Sequence, residues 1–155
     1  MRNSVVVDTS IAVKWALKEE DSNIALALVT EWTDLGMEVI APPLLAYEAT
    51  NALYRNMRKG DIAFSDAERG LNEVILKLVA IEPELDFDIH TRAIELAHQF
   101  GLSATYDSHY LALAEREGCE LWTADTRLWN SLKGKLSWVR WMGDYLASGN
   151  RKEAL

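Results

Sequence analysis

A chain of 155 residues is most simply one domain with a single core, so residues 1–155 are expected to fold together. Its 49% hydrophobic and 26% charged residues exclude a disordered chain. The net charge of -8 counts against a protein that coats nucleic acid, but not against an enzyme that meets nucleic acid through bound cations. One cysteine, Cys119, allows no internal disulfide, and no apolar run is long enough for a signal peptide or a membrane span. We therefore expect a cytoplasmic protein without a membrane contact.

The first predicted element is a short strand at residues 5–7. Three consecutive valines are typical of a strand buried on both faces, as in a parallel sheet. Asp8 follows directly, and then come Thr9 and Ser10, whose hydroxyl groups can cap a helix. Because ligands bind outside the carboxyl ends of parallel strands, Asp8 lies where chemistry is expected. A cap of the next helix would explain Asp8 equally well.

The remainder of the chain alternates between helical and strand patterns. Further strands are predicted at residues 38–41, 79–81 and 120–123 and near residues 138–140. Helices are predicted at residues 11–17, 22–36, 43–59, 65–78, 88–100 and 105–117 and near residue 128. The spacing from Ser65 to Glu68 is that of a capping box. This alternation predicts an α/β fold, a three-layer α/β/α sandwich with a mainly parallel central sheet.

Four acidic residues stand out by position. Asp8 and Asp125 each follow a hydrophobic strand, so both belong at the carboxyl edge of the sheet. Glu48 lies in a mostly apolar helix, one turn before Asn51, so these two side chains share a face. Asp107 falls in the first turn of a helix, where the helix dipole favours negative charge. Each acid alone has an ordinary explanation, as a first-turn acid, a turn residue or a half-exposed helix residue.

The order and spacing of these motifs resemble those of PIN-domain ribonucleases, and most of all the VapC-type toxins of toxin–antitoxin pairs. The resemblance covers nearly the whole chain and is carried by residues 5–10, 43–51, 103–114 and 122–125. It implies a PIN-like fold and an Mg²⁺- or Mn²⁺-dependent endoribonuclease that cleaves RNA phosphodiester bonds. The catalytic metal ligands would be Asp8, Glu48, Asp107 and Asp125.

The same resemblance implies supporting residues and partners. Ser10, Asn51 and Thr123 would orient the metal ligands, as expected for groups that surround a metal site. The partners would be an RNA substrate and a cognate antitoxin protein, and we expect the protein itself to form a homodimer.

The chemistry of the acids agrees with this expectation. Carboxylates gathered without histidine or cysteine make a hard oxygen site, which suits Mg²⁺ or Mn²⁺ better than Zn²⁺. Two unit charges about 4 Å apart repel each other by roughly 4 kcal/mol at an effective dielectric constant of 20. A cluster of four carboxylates therefore needs cations or protons.

Other chemistries fit the sequence less well. There is no Gly-x-Ser-x-Gly elbow and no glycine-rich phosphate loop. Ser10 stands where a haloacid-dehalogenase-type phosphatase has a second aspartate, and the later lysine of a receiver domain is missing. The alternative that stays open is a non-catalytic α/β binding module whose acids are structural or hold one ion. The full set of acids with hydroxyl partners favours the nuclease, because a binding module does not need it.

Overall fold

The computed structural model describes residues 2–84, 88–132 and 134–145, in which five strands form one parallel sheet. The strands are β1 (Ser4–Val7), β2 (Glu38–Ala41), β3 (Ala80–Ile81), β4 (Glu120–Thr123) and β5 (Val139–Trp141). Their order is β3-β2-β1-β4-β5, and every neighbouring pair is parallel. In the centre, Val6 pairs with Ile40 on one side and with Leu121 on the other.

Helices flank this sheet. They are α1 (Thr9–Ala16), α2 (Ser22–Asp34), α3 (Leu44–Lys59), α4 (Phe64–Arg69), α5 (Leu76–Leu78), α6 (Asp88–Phe100), α7 (Tyr106–Glu117) and α8 (Thr126–Leu132). A π-helical segment, Gly70–Ile75, joins α4 to α5, and a short 3-10 helix, Met142–Asp144, follows β5. The predicted α/β/α sandwich with a parallel sheet is confirmed. Within the described ranges, no helix combines the length and the apolar character that a bilayer crossing requires.

The central strand β1 determines where the functional side chains lie. Val5, Val6 and Val7 have no exposed surface, as expected for a strand that has a neighbour on each side and helices over both faces. At its carboxyl end the chain turns at Asp8, whose backbone carbonyl accepts the first hydrogen bond of α1 from the Ala12 amide, at 3.2 Å. α1 therefore starts directly at the sheet edge and brings its first residues to that edge.

The helix predicted at residues 65–78 differs from the prediction in two ways. It begins one residue earlier, and the carboxylate of Asp66 accepts a hydrogen bond from the Ala63 amide at 3.2 Å, so the predicted capping box from Ser65 to Glu68 is wrong. It also changes to π-helical geometry at Gly70, which is buried against α1. A Cβ atom on Gly70 would lie 3.0 Å from the Cβ of Ala16, so this close approach depends on glycine.

The other end of α1 is held by a buried serine. The Ser22 hydroxyl donates to the Leu17 carbonyl at 2.8 Å and accepts from the Glu19 amide at 2.9 Å. It thereby closes the turn between α1 and α2. The turn fixes the helix that presents Thr9 and Ser10 to the sheet edge.

Replacing this serine should weaken the fold measurably. Ser22→Ala should lower the free energy of unfolding by about 1–2 kcal/mol, because two hydrogen bonds of a partly buried turn are lost. Ser65→Ala, at an exposed position, should change it by less than about 0.5 kcal/mol. Urea denaturation of both variants measures the difference. Equal effects would contradict a structural role for the Ser22 hydroxyl.

Candidate functional site

Asp8 lies at the carboxyl end of β1 with only 4% of its surface exposed. Both of its carboxylate oxygens accept hydrogen bonds from hydroxyl groups, Oδ1 from Ser10 and Oδ2 from Thr123. The side chain makes no capping hydrogen bond to α1, so the interpretation of Asp8 as a plain helix cap is wrong. Two segments that are far apart in sequence thus hold this carboxylate in one orientation.

The two hydroxyl groups are themselves oriented by the backbone. Ser10 Oγ accepts a hydrogen bond from the Ala124 amide at 2.8 Å, and Thr123 Oγ1 accepts one from the Asp125 amide at 3.0 Å. Because each oxygen accepts from an amide, its single hydrogen is free to point at Asp8. The turn after β4 therefore fixes Asp8 through Ser10 and Thr123.

Glu48 of α3 is held by a different pair of hydroxyl groups. The Tyr110 hydroxyl donates to Glu48 Oε1 at 2.6 Å. Thr9 Oγ1 lies 3.1 Å from the same oxygen and 2.9 Å from the Tyr110 oxygen. Burial and the nearby Glu48 carboxylate raise the pKa of Tyr110 above its usual value, so the phenol stays protonated and can donate. Glu48 Oε2 accepts no hydrogen bond from the described residues and is available to another ligand.

Thr9 and Tyr110 are the supporting residues that the sequence analysis missed. The sequence indicates only a capping role for Thr9 and assigns no role to Tyr110. A signal was present for Tyr110, which lies three residues after Asp107 and so on the same face of α7 as that acid.

The other two acids, Asp107 and Asp125, lie at the starts of helices. Asp107 is a half-buried residue in the first turn of α7. Asp125 precedes α8, and its Oδ1 accepts hydrogen bonds from the amides of Arg127 at 2.9 Å and Leu128 at 3.3 Å. Asp125 is therefore a helix cap as well as a candidate ligand. Its other oxygen takes no part in the cap.

Asn51 lies one turn beyond Glu48 on α3, as the spacing predicts. Its position is exposed, and it makes no hydrogen bond to any of the four acids in this structure. A role for Asn51 in orienting the ligands stays a prediction.

The buried position of Asp8 changes its acidity. Burial raises the pKa of Asp8 to about 7, although the hydrogen bonds from Ser10 and Thr123 lower it. The negative charges of Asp107 and Asp125 raise it further. Burial therefore favours the protonated form of the Asp8 carboxyl far more than in an exposed aspartate.

Asp107 is perturbed in the same direction. Burial raises the pKa of Asp107 to about 6, and the charges of Asp125 and Glu48 add to the effect. Arg127 opposes them. The four acids come from four separate segments, yet their charges act on one another across a single region of the sheet edge.

The donor set of this region fits Mg²⁺ or Mn²⁺. The side chains are carboxylates supported by hydroxyl groups, which are the hard oxygen donors that these ions prefer. Within the described part of the chain, however, no three acidic, histidine or cysteine side chains converge closely enough to hold an ion as they stand. The donor chemistry of the acids therefore fits such an ion, although the described side chains as placed do not form a closed ligand set.

Comparison with known proteins decides the family. The family model of the PIN domain matches residues 5–133, a range that includes all four acids. The chain belongs to the PIN-domain family.

Two relatives and one solved structure, all from Pyrobaculum aerophilum, define the place of the chain within the family. Ribonuclease VapC3 is 31% identical over 124 residues, which are 80% of this chain and 91% of the relative. Exonuclease VapC9 is 34% identical over 94 residues, 60% of this chain and 66% of the relative. The crystal structure of PAE2754 superposes with a TM-score of 0.60 at 26% identity, covering 88% of this chain and 91% of that one. The resemblance to PIN-domain, VapC-type proteins is confirmed.

The raised pKa values predict how the stability of this PIN domain depends on pH. Asp8 and Asp107 bind protons more tightly in the folded state than in the unfolded chain, where an aspartate has a pKa of about 3.9. Between about pH 4 and pH 7 the folded state therefore holds more protons, and the free energy of unfolding should fall as the pH rises. The loss should be of the order of a few kcal/mol. Denaturation in chelator-containing buffer across this range measures it.

Asp107→Asn should flatten this pH dependence, because it removes one of the two groups and part of the repulsion on Asp8. Asp61→Asn, which removes an exposed acid outside the site, is the matched control and should leave the slope unchanged. A metal-free stability that is constant or rises over this range would contradict the raised pKa values of Asp8 and Asp107.

Proposed function

We propose that the protein is an Mg²⁺- or Mn²⁺-dependent endoribonuclease that acts as the toxin of a toxin–antitoxin pair. The observation that carries the proposal is the electrostatic coupling of Asp8, Glu48, Asp107 and Asp125 at one edge of the sheet. Membership of the PIN-domain family and similarity to relatives named ribonuclease and exonuclease support it.

In this proposal the four acids hold the divalent cation and the surrounding hydroxyl groups orient them. Ser10 and Thr123 keep the Asp8 carboxylate in one rotamer. Tyr110 occupies one oxygen of Glu48 and leaves the other for a ligand. When bound, the cation supplies an activated water and stabilises negative charge on the phosphodiester oxygens.

The remaining residues of the site have narrower proposed roles. Asp125 combines cation binding through one oxygen with the cap of α8 through the other. Thr9 supports the Glu48–Tyr110 contact. Asn51 remains a candidate for orienting the ligands.

The partners follow from the type of protein. A VapC-type toxin is expected to have an RNA substrate and a cognate antitoxin protein, and we propose that this chain acts in the cytoplasm as a homodimer. A cognate antitoxin would keep the nuclease inactive until the antitoxin is removed.

Circular RNA provides the sharpest test of the reaction. The protein should linearise it in the presence of Mg²⁺ or Mn²⁺, and a chelator should abolish the reaction. An exonuclease, the activity for which one relative is named, requires an end and would degrade only linear RNA. Intact circles beside degraded linear RNA would replace the endonuclease proposal with an exonuclease. A wild-type protein that cleaves neither RNA and does not melt at a higher temperature with Mn²⁺ would favour the non-catalytic binding module.

The same assay separates a ligand role for Asp107 from a structural one. Asp107→Asn should lower the cleavage rate by more than about 100-fold, beyond the 10- to 100-fold typical of residues that only support a ligand. Metal-free stability should hold or rise, because like-charge repulsion is relieved. Asp61→Asn is the control for the loss of one charge. A variant at position 107 that is less stable and cleaves RNA at the parental rate would contradict the assignment.

A further inference from the structure

A small pocket opens beside Asp107, between the start of α7 and helix α8. Its volume is about 70 Å³, enough for a compact group such as a phosphate. The polar side chains that line it are Ser103, Asp107, Arg127 and Ser131. We name it the Arg127 pocket.

The Arg127 guanidinium makes no ion pair within the described residues, a feature it shares with Arg55 and Arg58, but Arg127 also lines a pocket together with Asp107. The arginines that pair with a carboxylate are Arg2, Arg69, Arg92, Arg116 and Arg140. Arg127 is exposed, and its charge acts on Asp107 without a salt bridge. Its donors are thus available to a ligand that enters the pocket.

The backbone on both sides of Arg127 is well anchored. The Arg127 amide donates to Asp125 Oδ1 at 2.9 Å, and the Arg127 carbonyl accepts from the Ser131 hydroxyl at 3.0 Å. The same residue that caps α8, Asp125, is a candidate metal ligand. The position of the arginine is therefore linked to the position of the acids through one short segment.

The chemistry of the pocket favours a phosphate that is part of a longer substrate, one that also reaches a cation held by the neighbouring acids. A guanidinium binds a phosphate through two parallel hydrogen bonds, and the Ser103 hydroxyl can donate to a further oxygen, whereas the Ser131 hydroxyl already donates to the Arg127 carbonyl. A free anion would be repelled by Asp107 and its acidic neighbours, unless a cation on these acids balances their charge. An RNA strand meets both requirements. One of its phosphates can bind Arg127 while the neighbouring phosphodiester lies at the cation that balances the charge of the acids.

We propose that the Arg127 pocket binds one phosphate of the RNA strand, adjacent to the phosphodiester that the acids act on. The inference rests on the proposed nuclease function and adds a binding residue to it. A chain with a net charge of -8 has little general attraction for a polyanion, so a single well-placed arginine can determine which phosphodiester reaches the acids.

The first test compares Arg127→Gln with Arg116→Gln. Arg116 lies in the last turn of α7, where it pairs with Glu117, so its replacement changes the net charge equally but away from the pocket. Arg127→Gln should raise KM for a short RNA and reduce the slope of log(1/KM) against log salt by about one, the effect of one lost phosphate contact. Arg116→Gln should leave the slope as in the wild type. Arg127→Lys should keep the wild-type salt slope but have a KM between those of the wild type and Arg127→Gln. Lysine supplies the positive charge without the bidentate hydrogen-bond geometry of a guanidinium.

The second test locates the phosphate. A series of RNA oligonucleotides, each with one neutral methylphosphonate, should reveal a position where the substitution raises KM in the wild type but has little effect in Arg127→Gln. Equal sensitivity of both proteins at every position would overturn the proposal. The proposal would also be overturned if Arg127→Gln had the KM of the wild type and only a shifted pH–rate profile. That result would mean that Arg127 acts on Asp107 alone.

The two proposals fail in different ways. A wild-type protein that does not cleave RNA overturns the nuclease function and this inference with it. A wild-type protein that cleaves, together with Arg127→Gln and Arg116→Gln variants of equal KM and salt slope, overturns this inference alone. An Mn²⁺-induced rise in melting temperature in Arg127→Gln verifies that the cation site and the fold of that variant are intact.

Discussion

A carboxylate buried at the end of a central strand must be hydrogen-bonded, protonated or neutralised by a cation, and Asp8 meets this constraint in the first two ways. Both of its carboxylate oxygens accept hydrogen bonds from hydroxyl groups, yet burial still raises the pKa of Asp8 to about 7. Since the hydrogen bonds offset only part of the cost of burying the charge, the site is prepared for a positive partner. This balance explains why a strongly acidic protein can place further acids at the same edge of its sheet.

The sheet order connects this constraint to the fold. β1 lies between β2 and β4, so Thr123 at the end of β4 reaches Asp8 directly. Helices α1, α3 and α7 then meet around the contact between Thr9, Glu48 and Tyr110. The core and the site therefore depend on the same packing. A change that moves α7 relative to α1 would disturb Glu48 as well as the hydrophobic interior.

The elements could be predicted from the sequence because they depend on local patterns, whereas the ligand roles of the four acids stay a prediction. The valine run before Asp8 and the hydrophobic strand before Asp125 each place an acid at the carboxyl edge. Contacts between distant residues leave no such pattern, which is why the hydrogen bond from Tyr110 to Glu48 was not foreseen. The capping box at Ser65 failed for a different, local reason: the helix is capped two residues upstream of Ser65, at Ala63, whose amide donates to the Asp66 carboxylate. Arg127 is indistinguishable by sequence from an ordinary surface arginine, and only the pocket beside Asp107 sets it apart.

The central claim is that the four acids form one cation-binding site, and an NMR titration of the aspartate carboxyl carbons tests it most directly. Without a divalent cation, Asp8 and Asp107 should titrate near pH 7 and pH 6. Saturating Mg²⁺ should move both transitions to lower pH, because a bound cation favours the ionised carboxylates and displaces their protons. Transitions that Mg²⁺ leaves in place would contradict a shared cation site, and metal-free transitions near the ordinary value of about 3.9 would contradict the effect of burial on these two carboxyl groups.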